Sequence, residues 1–211
     1  MTTFVPPTAS DDEFAWEIAT LFPPQGEWSE EEYLRLTDGT NRRIEFTDGR
    51  LEFLAMPTEI HEVMVRFLFL ALHSFVERRK LGQVYFNGIR LRIRPRKIRL
   101  PDIIFLHRDH FHARHNRAWD GADLAMEVVS DDPKDRKRDY EQKLLDYAEA
   151  KVAEYWIIDY ERRVVLVHRL DGSQCVLHGQ FTPGQQAASR LLDGFAIDVA
   201  ALLAAADEVP E

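Results

Sequence analysis

The sequence predicts an α/β (α+β) chain in which helices pack against a mixed β-sheet, and three observations carry that prediction. Residues 59–80 repeat apolar side chains at helical spacing, and short alternating segments follow them. A second helical stretch, residues 135–150, falls between two apolar runs, 123–130 and 154–159. Beyond it lies a meander around Asp171-Gly172, so helices alternate with strands early and strands run together late. With 211 residues and 45% hydrophobic content, the chain can bury a core.

Taken in order, the first 35 residues read as an acidic arm with few core residues, distinct from a domain over 36–205. The arm is expected to hold two short helices, over 11–21 and after Ser29, where Glu32 completes a capping-box pattern. Ile44-Glu-Phe-Thr-Asp-Gly-Arg-Leu-Glu-Phe53 is a hairpin sequence turning at Asp48-Gly49. Ile44, Phe46, Leu51 and Phe53 share one face, which leaves Glu45 and Glu52 on the other. The helix over 59–80 is expected to present Val63, Phe67, Leu70 and Phe75 to the core, with Gly82 after its end. Residues 85–94 alternate as one strand with a wet face, residues 98–106 form a second strand interrupted at Pro101, and 123–130 a third.

Composition narrows the function classes. A lone cysteine, Cys175, excludes a disulfide framework within the chain and agrees with a reducing, cytoplasmic setting. The N-terminus lacks the basic and apolar regions of a signal peptide, and no run approaches the roughly 18 apolar residues of a membrane span. The net charge of −9 is unevenly distributed. Between Arg90 and Arg117 nine basic residues face two acidic ones, a local balance of +7, whereas Asp11, Asp12, Glu13, Glu17, Glu27, Glu30, Glu31 and Glu32 make the beginning acidic. A solvated strand face accounts for such a run, and so does a phosphate-binding one carrying Arg90, Arg92 and Arg94.

Three polar residues interrupt apolar patterns in the central segment. Asp102 opens Asp102-Ile-Ile-Phe105; Glu127 lies inside Leu124-Ala-Met-Glu-Val-Val-Ser130; Lys143 sits beside the helical stripe of Tyr140, Leu144, Tyr147 and Ala148. A carboxylate within a buried run needs a partner or a task. Two carboxylates and a lysine suit a hard cation such as Mg²⁺ or Mn²⁺ with substrate phosphate. A buried Glu127–Lys143 ion pair that ties helix to sheet explains the same residues. His107, His110, His112 and His115 lack the spacing of a zinc site, and neither a Gly-rich phosphate loop nor a Gly-X-Ser-X-Gly elbow is present.

Pro101-Asp102, Glu127-Val-Val-Ser130, Lys143, Glu154-Tyr-Trp-Ile-Ile-Asp159, Ile44-Glu-Phe-Thr-Asp-Gly-Arg-Leu51 and His61, in that combination, resemble the Uma2 family of bacterial restriction-type endonucleases over roughly residues 30–170. That family looks like a branch of the PD-(D/E)XK nuclease superfamily. The resemblance implies a restriction-endonuclease-like mixed sheet flanked by helices, and a Mg²⁺- or Mn²⁺-dependent hydrolysis of DNA phosphodiester bonds. Asp102, Glu127 and Lys143 would be catalytic; Asp102 and Glu127, joined by Glu45 and the Val128 carbonyl, would hold metal; His61 would be accessory. Where the superfamily pattern carries lysine two residues after the acid, this chain has Val129, which transfers that role to Lys143. Cleavage of both strands implies a homodimer. The alternative is a nuclease-fold module that binds nucleic acid or a protein partner without cutting.

Overall fold

Asp48 and Gly49 both take positive φ, 49° and 84°, which is what a two-residue hairpin turn of the favoured hand requires. This computed structural model describes residues 22–129 and 136–210; the expected helix over 11–21 lies outside them. Across the turn, β1 (Ile44–Thr47) pairs antiparallel with β2 (Arg50–Phe53), Ile44 opposite Phe53 and Glu45 opposite Glu52. Gly49 also answers a packing need. A Cβ there would stand 2.2 Å from the Gly26 carbonyl oxygen, and the Gly26 N–H donates to Gly49 O at 2.7 Å.

The segment before the hairpin is built into the fold, against the expectation of an arm with few core residues. Ser29 caps α1 (Glu30–Asp38), its Oγ accepting from Glu32 N while Glu32 Oε2 accepts from Ser29 N at 2.8 Å. Trp28, Tyr33 and Leu34 then bury with Ile44, Phe46 and Ile98. Tyr33 can be buried because its hydroxyl donates to Ile44 O at 2.8 Å.

Next, α2 (Glu59–Arg79) is capped by Thr58 and ends with Lys80 in the left-handed region. Its buried stripe is Met64, Val65, Leu68, Leu72, Phe75 and Val76, and Leu70, expected inside, is 58% exposed. The helix is apolar around most of its circumference, so periodicity alone did not select the face.

Two expected strands prove to be four, divided between two sheets. The run over 85–94 separates into β3 (Gly82–Phe86) and β4 (Leu91–Arg94) because Asn87 and Gly88 take φ of 42° and 114°. The run over 98–106 separates at Leu100-Pro-Asp102 into β5 (Lys97–Arg99) and β6 (Ile103–His107). One sheet has the order β2-β1-β5-β4. The other joins β3 and β6 to β7 (Leu124–Val128), β8 (Glu154–Asp159), β9 (Val164–Asp171) and β10 (Gln174–Phe181) in the order β10-β9-β8-β7-β6-β3. Of its pairs, β7 with β8 is parallel. The connection between these two strands carries a π-helical turn, Arg138–Gln142, that runs into α3 (Lys143–Glu149). A small hairpin, β11 (Gln186–Ala188) with β12 (Ala196–Asp198), leads into α4 (Val199–Asp207).

The central strands of the six-stranded sheet, β6, β7 and β8, are buried on both faces, which makes them continuous apolar runs. Leu124, Met126 and Val128 of β7 face the core formed with α2 and α4. Ala125 and Val129 face Tyr147 of α3 and Leu91 and Ile93 of β4. Glu127 alternates with Val128 and so belongs to the α3 side. No helix among the described residues is long and apolar enough to cross a membrane.

Gly49→Ala is expected to cost about 2 kcal/mol or more in urea unfolding, combining left-handed strain with the Gly26 clash. Gly172→Ala, where φ is 62° and no atom lies within 4 Å of the added Cβ, should cost about 1 kcal/mol.

Candidate active site

The register of β6 and β7 builds the site. Ile103 pairs with Met126, so the next step along the antiparallel ladder sets Asp102 beside Glu127, where both strands leave the sheet. Both side chains are buried. Three separate elements hold the Asp102 carboxylate: Arg43 Nη2 at 2.7 Å from Oδ1, and the Val128 N–H at 3.0 Å and His61 Nε2 at 3.2 Å from Oδ2. The residue's main chain is held as well, its carbonyl accepting from Asn87 N–H at 2.9 Å.

Glu127 meets the helix that follows its strand. Lys143 Nζ stands 2.8 Å from Glu127 Oε2 and 3.0 Å from Asp139 Oδ1, and the Tyr147 hydroxyl donates to Glu127 Oε1. Asp139, Lys143 and Tyr147 recur every four residues, so one helical stripe presents all three to the strand. Asp139 Oδ1 is in charge contact with Lys143 but out of hydrogen-bond alignment, and it accepts no hydrogen bond.

Asp102, Glu127, Lys143 and His61 line one cavity of about 70 Å³, together with Arg43 and Asp139. That volume admits several waters or a partly hydrated cation. Glu45 is not on the lining. It is fully buried rather than solvent-facing; its Oε1 accepts from Leu100 N–H at 3.1 Å and its Oε2 lies 3.4 Å from Arg99. Arg99 is in turn held by Asp146 at 2.7 Å.

Arg90, Arg92 and Arg94 lie away from this cavity, and each is matched by acid. Arg90 pairs with Asp38 at 2.8 Å, Arg92 with Glu30 at 2.7 Å and with Asp120, and Arg94 with Asp48 at 2.8 Å and Glu149 at 3.2 Å. Much of the local positive field of the arginine run is therefore cancelled within the fold.

The electrostatics follow from burial. Burial pushes the Glu127 carboxyl up, to about 8; the charges of Asp102 and Asp139 act in the same direction and Lys143 opposes them. Burial likewise raises Asp139. Burial would also raise Asp102, but His61, Arg43 and Lys143 outweigh it and hold that carboxyl well below the usual carboxylate range. Burial alone would lower Lys143, whereas Glu127 and Asp139 hold its ammonium well above the usual lysine value. Lys143 is therefore a fixed positive charge and a hydrogen-bond donor.

Sequence reasoning passed over Asp139, Tyr147 and Arg43. Asp139 was readable as an acid four residues before a lysine on one helix; Tyr147 was counted in the apolar stripe; Arg43 has no local signal, since only the fold brings it to Asp102. Glu154, at the far end of β8, accepts from Trp156, Ser189 and the N–H groups of Arg190 and Leu191, and so anchors a loop.

Glu127→Gln leaves Lys143 matched one-to-one with Asp139 and removes a carboxylate whose folded pKa is raised. The cost of ionising Glu127 grows as pH rises from the unfolded glutamate value through about 8. Without divalent cations the variant should therefore melt higher than the parent at pH 8, with the gap closing near pH 4. Lys143→Met should lower stability by about 3–5 kcal/mol, since two buried carboxylates lose their counter-charge.

The same architecture occurs in a solved structure. A crystal structure from Anabaena variabilis, described as a "putative nuclease belonging to DUF820", superposes with a TM-score of 0.67 at 15% identity, covering 85% of this chain and 99% of that one. No curated protein matches the chain. The family model Uma2, described as "Putative restriction endonuclease", matches residues 30–200, which takes in both sheets and every residue lining the cavity. The chain belongs to the Uma2 family of restriction-endonuclease-like proteins.

Proposed function

We propose that this protein is a metal-dependent endonuclease that hydrolyses DNA phosphodiester bonds at the Asp102–Glu127 cavity. The observation that carries the reading is the convergence of two buried carboxylates and a buried ammonium on one cavity, each positioned by a different element. The donors suit Mg²⁺ or Mn²⁺, which prefer carboxylate, carbonyl and water oxygens and bind through one or two carboxylates plus substrate phosphate. Asp139 Oδ1, buried without a hydrogen bond, adds unspent acceptor capacity. Among the described residues no group of three or more His, Cys, Asp or Glu is arranged to hold a metal, so Asp102, Glu127 and the Val128 carbonyl would share it with water and substrate. When bound, such an ion lowers the pKa of water and withdraws charge from phosphorus.

The chain's own residues divide the remaining work. Water attacks phosphorus and loses a proton to solvent, the P–O bond to the leaving oxygen breaks, and that oxygen takes up a proton from solvent. Lys143, which donates to Glu127 and is in charge contact with Asp139, keeps donor capacity for the water or for a phosphate oxygen. As a fixed ammonium it stabilises the charge that develops and does not accept the water's proton. His61 holds Asp102 and so acts on its orientation. Two copies of the chain would be needed to cut both strands.

One observation favours a second reading, a nuclease-fold module that binds without cutting. The oxygens of Asp102 and Glu127 already have protein donors, so the network closes on itself without an ion.

Incubation with supercoiled plasmid and linear DNA in Mg²⁺ or Mn²⁺ separates the two. Cleavage by the parent should fall by about 10²-fold or more in Asp102→Ala and Lys143→Ala. Nicking that persists unchanged in both variants removes the mechanism. An intact fold that gains no thermal stability from Mn²⁺ and cuts nothing establishes the binding module.

A further inference from the structure

Two clefts adjoin the cavity at opposite ends of β1. One, about 410 Å³, lies at the beginning of the strand beside Arg42, and shares Arg43, Met56 and Pro57 with the cavity. The other, about 1020 Å³, lies at the hairpin end beside Arg50 and Lys137, and meets the cavity at Arg138. Through these shared walls the three adjoin along the hairpin.

Glu62 lines the first cleft and Glu52 and Glu141 the second, yet the cations on these walls differ from those of the arginine strand. Among the described residues, no carboxylate lies within 4.0 Å of Arg42 or Arg50, and Lys137 has only a contact at 4.0 Å with Glu141, one helical turn away. Arg90, Arg92, Arg94 and Arg117, by contrast, are each matched by acid. Cations left without partners are the ones that can exchange counterions for phosphate. At the junction of the first cleft and the cavity stands Met56, 84% exposed, an apolar surface of the kind a base can rest on.

We propose that a polynucleotide strand lies along this trough, with phosphates on Arg42 to one side of the Asp102–Glu127 pair and on Arg50 and Lys137 to the other. Arg90 also lines the first cleft, where Asp38 neutralises it, and Arg92 and Arg94 line neither cleft. The choice of ligand rests on the nuclease reading above. Arg50 pairs with Thr47, five residues beyond Arg42, so the two backbone positions are separated by about 17 Å at ~3.4 Å per residue.

Binding is measured in the Glu127→Gln protein, which is expected not to cut, by fluorescence anisotropy of a labelled oligonucleotide, single-stranded and duplex, across a salt series. Adding Arg42→Gln, Arg50→Gln and Lys137→Gln together should weaken binding about tenfold or more and lower the slope of log K against log salt by roughly 2–3. The same three changes made singly, each with roughly a third of the slope change, serve if the triple variant melts early. Arg78→Gln with Lys80→Gln, about 30 Å away at the other end of α2, should leave both quantities unchanged. Parental affinity and slope in the triple variant, an equal loss in the control, or no binding by the parent at low salt would each overturn the path. Binding along the trough by a wild-type protein that leaves plasmid intact would keep the path and remove the nuclease reading instead.

Discussion

Lys143 is the charge on which the interior of this protein depends. It is an ammonium held out of water between Glu127 on the central sheet and Asp139 on its own helix. Without it, two carboxylates would sit in a low-dielectric layer next to a third, Asp102. With it, the helix within the β7–β8 crossover is bound to the strand that the crossover leaves. The arrangement is costly in stability compared with an apolar core, because desolvating three charges is only partly offset by their attraction. Such a cost is retained where the charges have a use, and here they surround a cavity flanked by clefts at either end of β1.

The two-sheet architecture is what assembles that cavity. The chain passes from the six-stranded sheet to the four-stranded one at Asn87-Gly88 and returns at Leu100-Pro-Asp102. Both crossings are also site-forming. At the second, Asp102 leaves the pleat with its carboxylate turned to Arg43, which precedes β1, and to His61 in the first turn of α2. At the first, Asn87 donates its N–H to the Asp102 carbonyl. The sheet switch and the Asp102 carboxylate are thus fixed at the same place in the chain, and distortion of one displaces the other.

Charge neutralisation assigns the protein's surfaces. Glu30, Glu31 and Asp38 of α1 lie on Arg92, Arg117 and Arg90, so an acidic segment and a basic run far apart in sequence cancel in space. These pairs are largely exposed and individually worth little. Their effect is on the field: they remove positive potential from one face and leave Arg42, Arg50 and Lys137 beside the cavity.

How much of this the residues reveal unaided depends on whether the cause is local. The Asp48-Gly49 hairpin, the Ser29–Glu32 capping box, the long helix and the buried β7 and β8 runs are set by backbone conformation, capping and apolar content, and all were legible. So was the abnormality of Glu127, with Lys143 named as a partner. What stayed hidden has a distant cause. Residues 85–94 and 98–106 each keep an alternating pattern through a point where the chain changes sheets, and alternation does not record which neighbour a strand acquires. Glu45 reads as a wet-face residue because its burial comes from Arg99 and Leu100, more than fifty positions away. Arg43 belongs to Asp102 only after β1 and β6 are placed side by side. The sequence by itself determined the elements and the charged residues that had to be accounted for; only the tertiary structure decided which charges meet, because pairing energy depends on distance and burial, and neither exists until the sheets have packed.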